Sequence, residues 1–197
     1  SGGNTSFVIP NSQISVVGSY TITITNIVDN NTPNACLNAV TNVTTTFIVS
    51  ENPDTSNTNL TAVDPICLGT NGTITLTDII GTLSDGNYII TYDVSGANIS
   101  VNESASVTIS GGTGSFSVPS SILTNIGTTT ITITSITNTA TNCSSIANLV
   151  VNFEIIPLPD TTGATINVIE PICLGQNAIA NLNGPALPNG SYSLTYD

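Results

Sequence analysis

The sequence predicts an all-β protein built from tandem β-sandwich repeats of about 106 residues. Three observations lead to this prediction: a recurring motif, segments that alternate Thr with Ile, and turn-forming residues between those segments. The motif Pro-Ile-Cys-Leu-Gly at 65–69 returns at 171–175, which sets the period at 106 residues. A fixed period of this length is typical of repeated domains, each the size of one small sandwich.

Other segments recur at nearly the same interval. The matching pairs are 7–10 with 116–119, 21–25 with 130–134, Cys36 with Cys143, and 88–93 with 192–197. We therefore expect three parts: the C-terminal half of one repeat at 1–53, a complete repeat at 54–159, and the N-terminal part of the next repeat at 160–197. Stretches rich in Pro, Asp, Thr and Asn at 51–59 and 157–163 lie at equivalent places and are interpreted as short, stiff linkers.

Period-two alternation predicts the individual strands, because successive side chains of a strand point to opposite faces of the sheet. The predicted strands are 20–24, 72–77, 88–92, 105–109, 115–118, 130–136 and 146–155. Turn-forming residues separate them at 84–87, 111–114 and 139–142. Residues 120–125 are expected to form at most one short helical turn. About seven short strands in one repeat predict a two-sheet sandwich with Ig-like topology.

Composition excludes several classes of function. The chain has no Lys, Arg or His, against 12 Asp and Glu, which gives a net charge of −12. Neutralising phosphate requires Lys or Arg, so neither nucleic acid nor an anionic membrane surface is an expected partner. His-based triads and Schiff-base lysines are excluded as well. The acids are scattered and recur with the period, so paired-carboxylate catalysis is not expected, and we predict that the protein is not an enzyme.

The hydropathy pattern indicates a soluble, secreted protein. No stretch approaches the roughly 18 consecutive apolar residues that a membrane-spanning helix requires. The apolar residues are mainly Val and Ile interleaved with Thr and Ser, and this regular patterning argues against disorder.

Each repeat contributes two cysteines, which we interpret as disulfide-forming because small secreted domains are commonly cross-linked in this way. The absence of His and of any Cys-x-x-Cys spacing argues against a metal site. The preferred pairing joins Cys67 to Cys143 within one repeat, with Cys36 and Cys173 paired outside these 197 residues. The alternative joins Cys36 to Cys67 and Cys143 to Cys173. Because a disulfide tolerates only about 4.4–6.8 Å between Cα atoms, the preferred pairing requires an irregular first strand that carries Cys67 across the sandwich.

Acidic residues recur near the predicted domain junctions and suggest calcium, which takes oxygen ligands. The candidate ligands are Asp54, Asp64, Asp93, Asp160 and Glu170. The alternative interpretation is that they keep a surface of Thr, Asn and Ser soluble, since no Asp-x-Asp-x-Asp-Gly loop or dense acidic cluster occurs. No other cofactor is expected.

The repeated motifs resemble a known group of surface proteins. Pro-Ile-Cys-x-Gly, Gly-x-Tyr-x-x-Thr-Tyr-Asp, Gly-Ser-Phe-x-Val-Pro, Thr-x-Thr-Ile-Thr and a late Asn-Cys-Ser together are similar to the repeat modules of giant Bacteroidetes surface adhesins. The gliding-motility adhesins (SprB-like), substrates of the type IX secretion system, are the particular resemblance. It implies an extracellular, outer-membrane-attached filament that a motor carries over the substratum, with secretion and motility machinery as partners. The resemblance transfers no binding residue.

The expected function is therefore a structural spacer in a large surface adhesin or filament, whose partners are the neighbouring repeats of the same chain. Two alternatives stay open. The repeats bind surface polysaccharide or another partner through their loops, or the chain is a filament subunit joined to its neighbours by strand exchange. The absence of Lys and Arg suits an exposed stalk, because trypsin-like proteases find no site to cleave.

Overall fold

The structure is a computed structural model that describes residues 4–29 and 36–197. Twelve strands are present in this part of the chain. They are β1 (Gly18–Asp29), β2 (Cys36–Val49), β3 (Thr58–Ala62), β4 (Ile66–Cys67), β5 (Gly72–Asp78), β6 (Gly86–Gly96), β7 (Ser100–Ile109), β8 (Thr113–Val118), β9 (Gly127–Asn138), β10 (Ser144–Ile156), β11 (Thr165–Val168) and β12 (Ala180–Asn183). The only helical elements among the described residues are two single 3₁₀ turns, Asn11–Gln13 and Ser120–Ile122. No helix there is long and apolar enough to cross a membrane.

Strands β3 to β10 form two sheets around one core. One sheet has the order β3-β5-β8, and the other has the order β4-β10-β9-β6-β7. All neighbours are antiparallel except β4 and β10, which run parallel. We call residues 58–156 the central unit.

Alternating sequence produces the core of the central unit. In β5, Gly72, Ile74, Leu76 and Asp78 are buried while the Thr residues between them face outward or lie half-buried. Because each strand contributes its apolar face in the same way, the two sheets share one dry interior. Side chains buried from both sheets include Ile74, Leu76, Phe116 and Val118 on one side and Ile90, Tyr92, Ile131, Ile133, Phe153 and Ile155 on the other.

The chain enters and leaves the central unit at opposite ends. Thr58, the first residue of β3, pairs with Asp78, and the turn after β9 brings Cys143 to within 3.8 Å of Ser50 at that same end. Strand β10 then runs 13 residues to Ile156 beside β4. At about 3.3 Å per residue, the exit lies roughly 40 Å from the entry. We call these the entry end and the exit end.

Two hairpins flank the central unit and repeat parts of it. Strands β1 and β2 pair as β9 and β10 do, and the register shift between Ile24 and Asn26 recurs between Ile133 and Ser135, 109 residues later. Strands β11 and β12 pair as β3 and β5 do: Ile166 faces Leu182 as Leu60 faces Leu76, each 106 residues apart. Pairing geometry therefore recurs together with the sequence motifs.

The predicted all-β class is confirmed, and each predicted strand coincides with an observed one. Two details were wrong. Strand β3 begins at Thr58, inside the stretch 51–59 that was predicted to be a linker, because Leu60 and Ala62 pack against the core. The two-residue strand β4 at Ile66–Cys67 was not predicted, since so short a segment shows no alternation.

Candidate functional site

The two linker aspartates that were predicted to bind calcium instead close local turns. The Ser56 N–H donates to Asp54 Oδ1 at 2.9 Å, and the Thr162 N–H donates to Asp160 Oδ1 at 2.8 Å. These hydrogen bonds lower the pKa of both carboxyl groups, chiefly through the backbone N–H of Ser56 for Asp54 and the Thr162 hydroxyl for Asp160. Each carboxylate stabilises the turn at the start of its own segment.

The remaining predicted ligands lie apart from them. Asp64 Oδ1 accepts the Glu154 N–H at 2.7 Å, which fixes the segment before β4 against β10. Asp93 Oδ1 accepts the Asn102 N–H at 2.8 Å across the β6–β7 hairpin. Glu170 is exposed and precedes Pro171 through a cis peptide bond, as Asp64 precedes Pro65.

The five candidates are not brought together as a calcium site. Within residues 4–29 and 36–197, no group of three or more Asp, Glu, His or Cys side chains is arranged to hold a metal ion. Four of the five carboxylates already accept a backbone N–H, and each does so in a different turn or hairpin. The arrangement fits the alternative interpretation that these acids shape and solvate the unit.

Asp78 is the most deeply engaged carboxylate, and sequence reasoning missed it. Its side chain is only 3% exposed. Oδ1 accepts the N–H groups of Ile80 and Gly81 at 3.1 and 3.0 Å, while Oδ2 accepts the Thr82 hydroxyl at 2.8 Å and the Leu83 N–H. The Leu83 N–H is the largest cause of a lowered Asp78 pKa. The carboxylate organises the whole 79–83 loop at the entry end.

Asp85 performs a similar task for the glycine-rich turn. Its two carboxylate oxygens accept the N–H groups of Gly111 and Gly112 at 2.9 and 3.2 Å, and these bonds lower its pKa. Gly112 has a φ of +74°, and a Cβ there would collide with the carbonyl oxygen of Asp78. The turn predicted at 111–114 is therefore a structural contact between two loops of the entry end.

The predicted disulfide between Cys67 and Cys143 is wrong. Cys67 pairs with Ile156 at the exit end, whereas Cys143 immediately precedes Ser144, the first residue of β10, at the entry end. The two Cα atoms are thus roughly 40 Å apart along β10, far beyond the reach of a disulfide. Cys67, Cys143 and Cys173 all carry free thiols, so the alternative Cys143–Cys173 pair is not formed either. The side chain of Cys36 lies outside the described residues.

The entry end also carries a polar groove where the chain arrives from the preceding segment. Its volume is about 320 Å³. It is lined by Glu51, Asn52, Pro53, Asp54, Gly81, Thr82, Ser84, Tyr88 and Asn138. The Tyr88 hydroxyl donates to the Ser84 carbonyl at 2.7 Å, so it is already engaged. The groove combines linker residues with the loop that Asp78 organises, which makes this junction the candidate functional site.

Comparison with known proteins adds no relative to this description. No protein-family model matches the chain, and no curated protein matches it.

Proposed function

We propose that this chain is a spacer: tandem Ig-like sandwiches of about 106 residues that give length to a secreted surface adhesin or filament. The observation that carries the proposal is the position of entry and exit. Because the chain enters the central unit at one end of β10 and leaves at the other, successive units extend the molecule instead of folding back on it. Each unit then adds roughly 40 Å of length.

The recurrence of pairing supports the tandem-repeat part of the proposal. Both hairpins that flank the central unit reproduce its registers, one at a spacing of 106 residues and the other at 109 on β1. Strand order supports the Ig-like part. A three-stranded sheet facing one that ends in a short parallel strand, with β5 between β3 and β8, is consistent with the Greek-key sandwiches of that group.

The resemblance to gliding-motility adhesins motivates the cellular part of the proposal. An outer-membrane-attached filament needs length, solubility and resistance to proteolysis. A net charge of −12 without a single Lys or Arg suits the last two requirements.

Carbohydrate binding by the repeat is less well supported. Sugar-binding surfaces generally use exposed aromatic rings, yet the four aromatic residues of the central unit are core residues. They are Tyr88, Tyr92, Phe116 and Phe153, each no more than 5% exposed.

The strand-exchanged subunit is the second candidate, and one observation favours it. The β1–β2 hairpin carries an apolar groove of about 340 Å³, lined by residues that include Phe7, Ile22 and Phe47. The β11–β12 hairpin of a second copy is the matching occupant, because its register equals that of β3 and β5. Light scattering of the 197-residue chain at rising concentration tests this: head-to-tail oligomers support exchange, and a monodisperse monomer contradicts it.

Electron microscopy of the full-length protein tests the spacer proposal. We expect a row of units with a spacing of roughly 40–60 Å, counting the sandwich and an extended linker of about six residues. Deleting whole repeats from the gene should shorten the filament in proportion and leave the units unchanged. A compact particle whose dimensions do not scale with repeat number would contradict the proposal.

A further inference from the structure

The two cysteine positions of a repeat lie at its opposite ends, so each faces a different neighbour. Cys67 stands at the exit end, where the chain continues into the next segment. Cys143 stands at the entry end, against the segment that arrives from the previous one. Neither cysteine can reach the other within its unit, but each lies at a junction.

Both positions approach the same point of the chain. Cys67 is the parallel partner of Ile156, and the Leu68 N–H donates to the Ile156 carbonyl at 2.9 Å. The Cys143 thiol lies 3.8 Å from the carbonyl oxygen of Ser50. Ser50 follows β2 directly, just as Ile156 ends β10.

Strand register makes Ser50 and Ile156 equivalent. Val49 pairs with Gly18, the first residue of β1, and Ile155 pairs with Gly127, the first residue of β9. Val49 and Ile155 therefore occupy the same place, and so do Ser50 and Ile156, one residue further on. One backbone position is thus contacted from one side by the Cys67 position of its own repeat and from the other by the Cys143 position of the following repeat.

We infer, resting on the repeat organisation proposed above, that Cys67 of each repeat forms a disulfide with the Cys143 equivalent of the next repeat. Adjacent strands are about 4.8 Å apart, so Cys67 lies within one strand spacing of the position that the second thiol contacts. This separation is compatible with the roughly 4.4–6.8 Å that a disulfide requires between Cα atoms.

The reaction is an ordinary thiol oxidation. Two thiols lose two protons and two electrons, and one S–S bond forms. The oxidant is a thiol–disulfide oxidoreductase in its disulfide form, which takes up both electrons and both protons and becomes a dithiol. Such catalysts belong to the oxidising compartments through which secreted proteins pass.

The cross-link changes what a junction is. Without it, one stretch of chain of about six residues joins two units. With it, every junction carries a second covalent connection, which limits bending and keeps neighbouring units together under tension. The inference also explains why Cys67, Cys143 and Cys173 are free in this structure: each has its partner in a neighbouring repeat that these 197 residues do not include.

Peptide mapping of the full-length protein without reduction tests the inference. The protein is alkylated and then digested with chymotrypsin, since trypsin finds no Lys or Arg. We expect linked peptides that join a Pro-Ile-Cys segment to an Asn-Cys-Ser segment. The isolated 197-residue chain is the matched control and should show four alkylated cysteines. A Cys67–Cys143 peptide or a Cys36–Cys67 peptide from that chain would overturn the inference.

Electron microscopy of the same full-length sample separates this inference from the spacer proposal. Linked peptides from an extended row of units support both. An extended row whose cysteines are all alkylated overturns the disulfide and leaves the spacer intact. A compact particle overturns the spacer and, with it, the disulfide between successive repeats.

Discussion

The β9–β10 hairpin of the central unit and the β1–β2 hairpin share the same Thr-Ile alternation, the same pairing and the same register shift. Their surroundings differ. Ile133 is fully buried beneath the opposite sheet, whereas its equivalent Ile24 is half-exposed. Phe153 and its equivalent Phe47 differ in the same way. The comparison shows that local sequence is enough to specify a hairpin, while its stability depends on the sheet that covers it.

The largest expected difference between the hairpins comes from their equivalent phenylalanines. Phe153→Ala leaves a cavity in the core and should cost about 3–5 kcal/mol of unfolding free energy. Phe47→Ala removes a ring that stacks on Tyr20 at a centroid distance of 5.6 Å, and it should cost about 1 kcal/mol. Hydrogen exchange resolved by peptide gives the opening free energy of each hairpin separately. Equal losses in the two hairpins would contradict the role assigned to the covering sheet.

Asp78→Asn should produce the next largest effect. The amide offers one oxygen where the carboxylate offered two, so part of the 79–83 loop loses its acceptor, at a cost of about 2 kcal/mol. Asp54→Asn is the matched control: it affects a carboxylate with a single backbone donor in an exposed turn, and little change is expected. Chemical denaturation followed by circular dichroism measures both variants. A loss at position 54 that equals the loss at position 78 would refute this ranking.

Acid should weaken the entry end of the central unit. The pKa values of Asp78 and Asp85 are lowered in the folded state by backbone N–H donors, Leu83 first for Asp78 and Gly111 first for Asp85. The unfolded carboxylates therefore take up protons first as the pH drops. The stabilisation is complete above the usual value of 3.8 and is lost as the pH falls below it toward the folded pKa. Thermal midpoints measured from pH 6 to pH 2 should fall in this window and by less in Asp78→Asn.

Equivalent glycines offer a finer comparison. Gly18 and Gly127 begin the first strands of their hairpins with φ values of +147° and +118°, so alanine is strained at both. A Cβ at Gly127 would also lie 3.2 Å from the Cβ of Ala97, whereas nothing lies within 4 Å at Gly18. We expect Gly127→Ala to cost about 1–2 kcal/mol and Gly18→Ala about 1 kcal/mol. Hydrogen exchange of each hairpin is the measurement, and a larger effect at Gly18 would contradict the assignment.

Calcium should have the smallest effect. The candidate carboxylates are dispersed, and four of them already accept backbone N–H groups. Thermal midpoints in millimolar Ca²⁺ and in EGTA should therefore agree in both the central unit and the hairpins. A rise of several degrees with Ca²⁺ that Asp54→Asn abolishes would restore the linker acids as ligands.

Local signals account for the part of the fold that could be predicted from the sequence. Alternation at 72–77 and 130–136 marks strands because half-buried strands have a period of two, and the spacing of Pro-Ile-Cys marks equivalent positions without any knowledge of pairing. The Cys67 pairing could not be predicted in this way. It depends on β4 lying parallel to the last residues of β10, a contact 89 residues apart in sequence that leaves no local pattern.

The role of Asp78 was missed for a related reason. Its four donors belong to a loop without periodicity, and the sequence Asp-Ile-Ile-Gly-Thr is only a weak signal of it. A more attentive analysis of an Asp at the end of a strand, followed by Gly and Thr three and four residues later, would have suggested a carboxylate-capped loop. The linker aspartates were easier to notice because they recur, and recurrence indicated a shared turn, not a shared ligand.

Hydrogen exchange of β1 in two forms of the protein tests the central claim most directly: that the β1–β2 hairpin is the C-terminal half of a repeat whose other half covers it. In the 197-residue chain, we expect the β1 amides to exchange much faster than those of β9. In the full-length protein, the two strands should be protected to a similar degree. Fast exchange of β1 in both forms would contradict the claim.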